Sequence, residues 1–292
     1  MSVLVTGAGG QLGRELALLP EQPGIEVVAL TRAELDVTEL EACRRVLAHH
    51  RPDAVLHCAA YTAVDRAEAE PEAAWRVNAA GTRHLALAAR EHGAKLCYVS
   101  TDYVFDGSGS VPYDEYAGTN PQTVYGRTKL AGERLALTLH PRCFVVRTSW
   151  VYGRHGANFV NTMLQLAQTK DEVQVVRDQI GCPTYTRDLA VFLLELVQTE
   201  QYGIYHASNA GSCSWHEFAA AIFELSGSRT RALPCTTAEF PRPAPRPSYS
   251  VLGDLALRGS GLTPLRPWRE ALAAYLGELG EPGSSDEGAP SS

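Results

Sequence analysis

A glycine-rich turn directly behind an apolar run constrains the fold of this chain more than any other feature. Ser2-Val3-Leu4-Val5 reads as a strand, Thr6-Gly7-Ala8-Gly9-Gly10-Gln11-Leu12-Gly13 follows it, and Gln11 opens a one-sided helical pattern. Glycines at 7, 10 and 13 let the chain turn tightly, let backbone approach a pyrophosphate with no Cβ in the way, and let strand and helix pack closely. The start of the helix then presents free N–H groups and the positive end of its dipole to the phosphates. A glycine cluster also suits an ordinary turn; the strand before it and the helix after it are what favour a dinucleotide site. Gly7, Gly10, Gln11 and Leu12 are therefore the first cofactor-binding candidates.

The alternation set up by this first unit continues. Strands are predicted near 3–6, 25–30, 54–58, 95–100 and 143–148, with helices over 11–19, 38–50, 70–92 and 123–139 between them. Repeated strand-helix-strand units imply an α/β fold, a doubly wound parallel sheet of the Rossmann type. Beyond Gly153 the rhythm loosens into helices near 157–168, 186–199, 214–226 and 267–278, joined by short strands and proline-rich segments, which predicts a smaller C-terminal α/β substrate lobe. The expected division is a cofactor domain over 1–153, to which parts of the later chain return, a substrate lobe over 154–280, and a disordered tail over 281–292. Four prolines and two arginines make Phe240 to Pro247 a stiff loop rather than a central strand.

Composition narrows the function classes. A net charge of -7 with no block of Lys or Arg argues against a nucleic-acid partner. No apolar run reaches the roughly 20 residues that span a bilayer, so no membrane partner is expected. Seven cysteines at wide spacings, with no CxxC pair, read as reduced thiols, and the start of the chain carries no signal-peptide pattern, so a cytoplasmic address is expected.

Two further segments carry chemistry. At the end of the second predicted strand, Arg32 stands where an NAD-binding chain places an acid for the ribose 2′-hydroxyl. An arginine there accommodates a 2′-phosphate and favours NADPH over NADH; the alternative is a solvated surface arginine. Asp36 and Val37 flank the adenine in this reading, or Asp36 caps the helix that follows. Tyr125 and Lys129, four apart on a helical pattern, share one face. A nearby ammonium favours phenolate and lowers the tyrosine pKa from about 10, making a better general acid for a nascent alkoxide. Thr101, ending the fourth strand at the carboxyl edge of the sheet, brings a hydroxyl to the same region, or else merely caps a strand end.

Together the stretches TGAGGQLG from Thr6, HCAAYTAVDRAE from His57, STDYVFDG from Ser100, YGRTK from Tyr125 and RTSWVYG from Arg147 resemble the extended short-chain dehydrogenase/reductase superfamily, and within it the dTDP-4-dehydrorhamnose reductases. The resemblance implies an NADP(H)-dependent oxidoreductase that reduces the C4 ketone of a nucleotide-linked deoxysugar. It implies that Tyr125 protonates the sugar oxygen, that Lys129 holds the nicotinamide ribose and tunes Tyr125, and that Thr101 bonds the carbonyl oxygen. Ala59, Ala60 and Tyr61 would line the cofactor, with Asn78 supporting the site; Asp102 and Trp150 would face the sugar, and Arg246 the diphosphate.

Three other readings compete. Sugar-nucleotide dehydratases carry an Asp-Glu pair after the threonine, whereas Tyr103 follows Asp102 here, so dehydration is disfavoured. An epimerase remains an alternative. So does a non-catalytic regulatory subunit of a methionine adenosyltransferase, although Thr101, Tyr125 and Lys129 are all retained. Some bacterial relatives are linked to Mg²⁺ at a dimer contact made by glutamates. Glu15 matches one position, but Arg187 stands where another is expected, and a cation opposes such a site, so no metal is expected in a monomer or homodimer.

Overall fold

The computed structural model describes residues 1–20 and 22–280, so the expected tail over 281–292 lies outside the described residues. Its centre is a six-stranded, wholly parallel sheet. Strands β1 (Ser2–Thr6), β2 (Glu26–Leu30), β3 (Ala54–His57), β4 (Lys95–Thr101) and β5 (Cys143–Thr148) lie in the order β2-β1-β3-β4-β5, and Gly203–His206 completes the far edge against β5. Because β1 pairs with both β2 and β3, the chain reverses its direction of winding between β1 and β3, and a crevice opens beyond their carboxyl ends.

The strands bury both faces, which is why they read as nearly unbroken apolar runs. Val3 and Val5 pack with Leu56, Phe144 and Val146 on one side, while Leu4 and Val55 pack with Leu96 and Val145 on the other. On the first face lie α1 (Gln11–Leu18) and the helix Thr186–Val197, whose Leu189, Leu193 and Leu196 are fully buried. On the second lie α2 (Leu40–His50), α5 (Thr82–Glu91) and α6 (Val124–Leu139). Two short helices, α3 (Val64–Ala69) and α4 (Pro71–Trp75), precede α5.

The structure departs from the periodicity reading at three places. The pattern over 70–92 is interrupted by a π-helical segment at Arg76–Gly81, which displaces Asn78 from the regular ladder. The helix expected from residue 38 begins at Leu40, because the Asp36 carboxylate accepts from the Thr38 N–H at 3.0 Å and from its hydroxyl at 2.8 Å. The sixth strand, Gly203–His206, is too short to show alternation and is decided by its parallel pairing with β5.

The smaller lobe has its own core, in which Tyr152, Tyr185, Phe218 and Tyr275 pack around the helices Trp215–Leu225 and Trp268–Gly280. Strands Glu172–Val176 and Arg231–Cys235 form a two-stranded parallel ladder there.

The turn after β1 is as crowded as its composition implies. Gly7 has φ +72°, and a Cβ on Gly13 would sit 2.3 Å from the Gly7 carbonyl oxygen. Gly13→Ala is therefore expected to destabilise the chain by about 1–3 kcal/mol, read as a lowered denaturant midpoint with an unchanged slope.

Candidate active site

A cavity of about 1590 Å³ runs from the glycine turn, across the carboxyl ends of β1, β3 and β4, into the smaller lobe. Its floor at one end is backbone. A Cβ on Gly7 would lie 2.7 Å from both N and Cα of Ala59, so the turn seats against the loop after β3 only because residue 7 is glycine. Gly10 precedes α1 without a side-chain cap, which leaves the first amides of the helix free for a ligand. Beside them the Gln11 Oε1 is buried with no hydrogen-bond partner. Amides without a cap, an unpartnered polar atom and a floor without side chains fit the pyrophosphate of a dinucleotide.

Most of the expected cofactor residues meet in this cavity: Gly7, Gly10, Gln11 and Leu12 at one end, Arg32 and Val37 along one wall, and Ala59, Ala60 and Tyr61 along the other. Arg32 is exposed, and its ion pair with Asp36 is long at 3.4 Å, so the guanidinium remains available. Two assignments change. Asp36 does not line the cavity; its carboxylate is taken up by Thr38 and Arg32, and those bonds hold it below the usual carboxylate range against the opposing effect of partial burial. Asn78 is also absent from the lining. It is buried, accepts from the Tyr61 N–H at 2.8 Å, and donates to the Tyr61 carbonyl at 3.1 Å and the Thr128 hydroxyl at 3.0 Å. It splints the cofactor loop to α6 and touches no ligand space.

Thr101, Tyr125 and Lys129 converge on the middle of the cavity. Thr101 sits where β4 ends; its hydroxyl accepts from the Tyr103 N–H at 3.3 Å and donates to Asp102 Oδ1 at 3.0 Å. Helix α6 is started by Thr123, which caps the Gly126 N–H at 3.0 Å, and by Glu68, which accepts from the Val124 N–H at 2.8 Å. One turn on, Lys129 is buried, donates to the Val99 carbonyl at 2.6 Å and lies 4.0 Å above the Tyr98 ring. Burial pulls its pKa down to about 7, with the Glu133 carboxylate opposing.

The expected lowering of the tyrosine is not what the structure shows. Burial pushes Tyr125 up to about 12, the Thr101 hydroxyl opposes this, and the Asp102 charge adds to it. Lys129 spends its ammonium on Val99 and Tyr98. In this state Tyr125 is a firmly protonated donor, as a general acid must be before it acts.

On the side of the smaller lobe, Asp102 is buried, and its Oδ2 makes no hydrogen bond. Burial raises it to about 6, while the nearby Ser250 and Thr101 hydroxyls pull the other way. Trp150 has a left-handed backbone, φ +47°, that a bulky residue adopts only under constraint. Its ring stacks on Trp215 at 3.5 Å and 7°, pressed from behind by Gly181, where a Cβ would lie 2.6 Å from the indole. Arg246 lines the cavity and is also tied to Asp65, its Nη2 2.7 Å from Asp65 Oδ2. Lys170, Trp215 and Arg242 join the lining unannounced by any motif. Glu15, the candidate metal contact, accepts from the Thr186 hydroxyl at 2.9 Å, and Arg187 pairs with Glu278 at 2.8 Å. Among the described residues no helix is long and apolar enough to cross a membrane.

With this geometry in place, comparison with known proteins is informative. Residues 1–280 match the RmlD substrate binding domain family. The chain belongs to that family. A dTDP-4-dehydrorhamnose reductase of Streptomyces griseus is 49% identical over 96% of this chain and 95% of its own. A dTDP-4-keto-6-deoxy-D-glucose reductase of Streptomyces niveus is 45% identical over 92% of this chain and 94% of its own. The solved structure of a dTDP-4-dehydrorhamnose reductase from Bacillus anthracis, in complex with NADP, superimposes with a TM-score of 0.93 at 43% identity, covering 95% of this chain and 99% of that one.

Within a reductase family the buried Asn78 carries a clear expectation. Asn78→Ala leaves both polar groups of the Tyr61 backbone without partners, while the Thr128 hydroxyl keeps its bond to the Tyr125 carbonyl at 2.8 Å, and should cost about 1–3 kcal/mol, measured by chemical denaturation. It should weaken dinucleotide binding only through the loosened Tyr61 loop.

Proposed function

We propose that this chain reduces the C4 ketone of a dTDP-linked 4-keto-6-deoxysugar, with dTDP-4-dehydrorhamnose as the first choice, using NADPH. The observation that carries the reading is the meeting of Thr101, Tyr125 and Lys129 in one cavity that begins at a phosphate-binding turn and ends among aromatic and basic residues of the smaller lobe. The bound dinucleotide supplies the hydride that reaches the sugar C4.

The protein's own part is positioning and proton supply. The Gly7 to Gly13 turn and the start of α1 bind the pyrophosphate, and Arg32, free to leave its long contact with Asp36, meets a 2′-phosphate. Lys129 holds the ribose beside the reacting carbon. The Thr101 hydroxyl steadies the ketone oxygen, and Tyr125 gives that oxygen its proton as the C–H bond forms, so the ketone leaves as an alcohol. Asp102, with a free and buried oxygen, takes a sugar hydroxyl. Trp150, held between Trp215 and Gly181, walls the sugar end of the cavity with its ring edge, and Lys170, Arg242 and Arg246 meet the diphosphate. The domain division we propose is residues 1–153, with the returning helix Thr186–Val197 and strand Gly203–His206, for the cofactor, and the rest of the chain to 280 for the sugar nucleotide.

Tyr103 follows Asp102 where a dehydratase needs its second acid, so the site is furnished for reduction and not for loss of water. NADPH oxidation in the presence of dTDP-4-dehydrorhamnose, with dTDP-4-keto-6-deoxy-D-glucose as the comparison, tests the reading; absence of turnover with both would overturn it. Tyr125→Phe should lower kcat by about 10²–10⁴-fold with little change in cofactor binding. Arg32→Ala should raise KM for NADPH about tenfold and leave that for NADH unchanged. Equal effects on both would assign Arg32 to the solvated surface.

A further inference from the structure

Behind the reacting groups lies a second charged cluster. Glu133 and Arg147 are almost wholly buried and joined by two bonds, Nη2 to Oε2 at 2.8 Å and Nε to Oε1 at 2.9 Å. The Ser100 hydroxyl, one residue before Thr101, donates to Glu133 Oε1 at 2.6 Å. Arg147 reaches on to His206 Nε2 at 3.4 Å and lies over the Phe105 ring. A buried ion pair of this kind is weak as a stabilising device, since an apolar pair of the same volume serves stability as well or better. Its position suggests another use. Glu133 follows Lys129 by four residues on α6, so the two side chains share a face.

We propose that Glu133, anchored by Arg147 and Ser100, is a positioning residue whose negative charge favours the ammonium form of the buried Lys129 in the cofactor cavity. The other groups around Lys129 do not supply this charge. From its own helix comes Tyr125, protonated and neutral. From β3 and the residue after it come His57, which burial and the Lys129 charge keep neutral, and Cys58, whose thiol burial also keeps neutral. From β4 come the Tyr98 ring and the Val99 carbonyl, which offer a π face and a dipole. Glu133 is the carboxylate that opposes the cost of burying the ammonium. Arg147 is itself held by His206 and Phe105, which anchors it on the carboxylate.

The chain makes the test clean, because Lys95, Lys129 and Lys170 are its only lysines. Side-chain NMR of lysine-labelled, cofactor-free protein follows each ammonium through a pH titration, with Lys129→Met assigning the signal. The Lys129 signal should titrate near pH 7 in the wild type. In E133Q its midpoint should fall by about one unit. In E133D, which keeps the charge, it should stay near the wild-type value. Should E133Q fail to fold, the double variant E133L/R147M replaces the pair with apolar groups and should show a smaller fall in the same direction, because the Arg147 cation is lost with the carboxylate. An unchanged midpoint in a folded E133Q or double variant, or an equal fall in E133D, would overturn the proposal. Its consequence for catalysis rests on the reductase reading: the alkaline fall of kcat/KM should move down with the midpoint. The titration needs neither substrate nor turnover, so failure of the substrate assignment leaves it standing.

Discussion

The seat of the Gly7 turn against Ala59 is the contact on which the rest of the site depends. Two parallel strands leave the sheet side by side at β1 and β3, and the loops beyond them diverge because the chain winds in opposite directions from that point. Backbone meets backbone there, with no space for a Cβ at residue 7 and none at residue 13 where α1 crosses the turn. That packing aims the free amides of α1 into the crevice. Asn78 then fixes the far wall by bonding both polar groups of the Tyr61 backbone and tying them to α6, the helix that carries Tyr125 and Lys129. One chain of short contacts thus runs from the glycine-turn end of the cavity to Tyr125.

The electrostatics of the centre follow from burial. Tyr125 is raised, Lys129 lowered and Asp102 raised, and in each case desolvation is the leading cause. All three shifts move the groups toward their neutral forms, as the physics of a low-dielectric site requires. A buried network beside them joins Ser100 to Glu133 and Glu133 to Arg147, and the Glu133 carboxylate opposes the lowering of Lys129.

Much of this was legible in the sequence, and the limits have physical causes. The five main strands and their helices follow from apolar periodicity because parallel strands and one-sided helices impose their own repeat. Tyr125 and Lys129 were legible as a pair because the helix itself sets their spacing. Asp36 was left between flanking the adenine and capping the following turn, because a carboxylate after a strand looks the same in both settings, and the structure shows its bonds to Thr38. Asn78 was legible as a support of the site, but the groups it supports, the Tyr61 backbone and Thr128, were not, since they meet it only through tertiary packing around a π-helical segment. Lys170, Trp215 and Arg242 carry no local pattern; they reach the cavity only through the packing of the smaller lobe.

The sequence by itself determined the fold class, the glycine-rich turn after the first strand and the spacing that sets Tyr125 and Lys129 on one helix face, because each depends on neighbours within a strand, a turn or a helix. The tertiary structure decided what those groups feel. Whether Lys129 lowers Tyr125 or binds Val99, whether Arg246 is free or tied to Asp65, and whether Glu133 lies on the surface or behind the reacting centre are questions of long-range contact and desolvation. Local spacing has no access to either, since both arise only when distant segments close around the same volume.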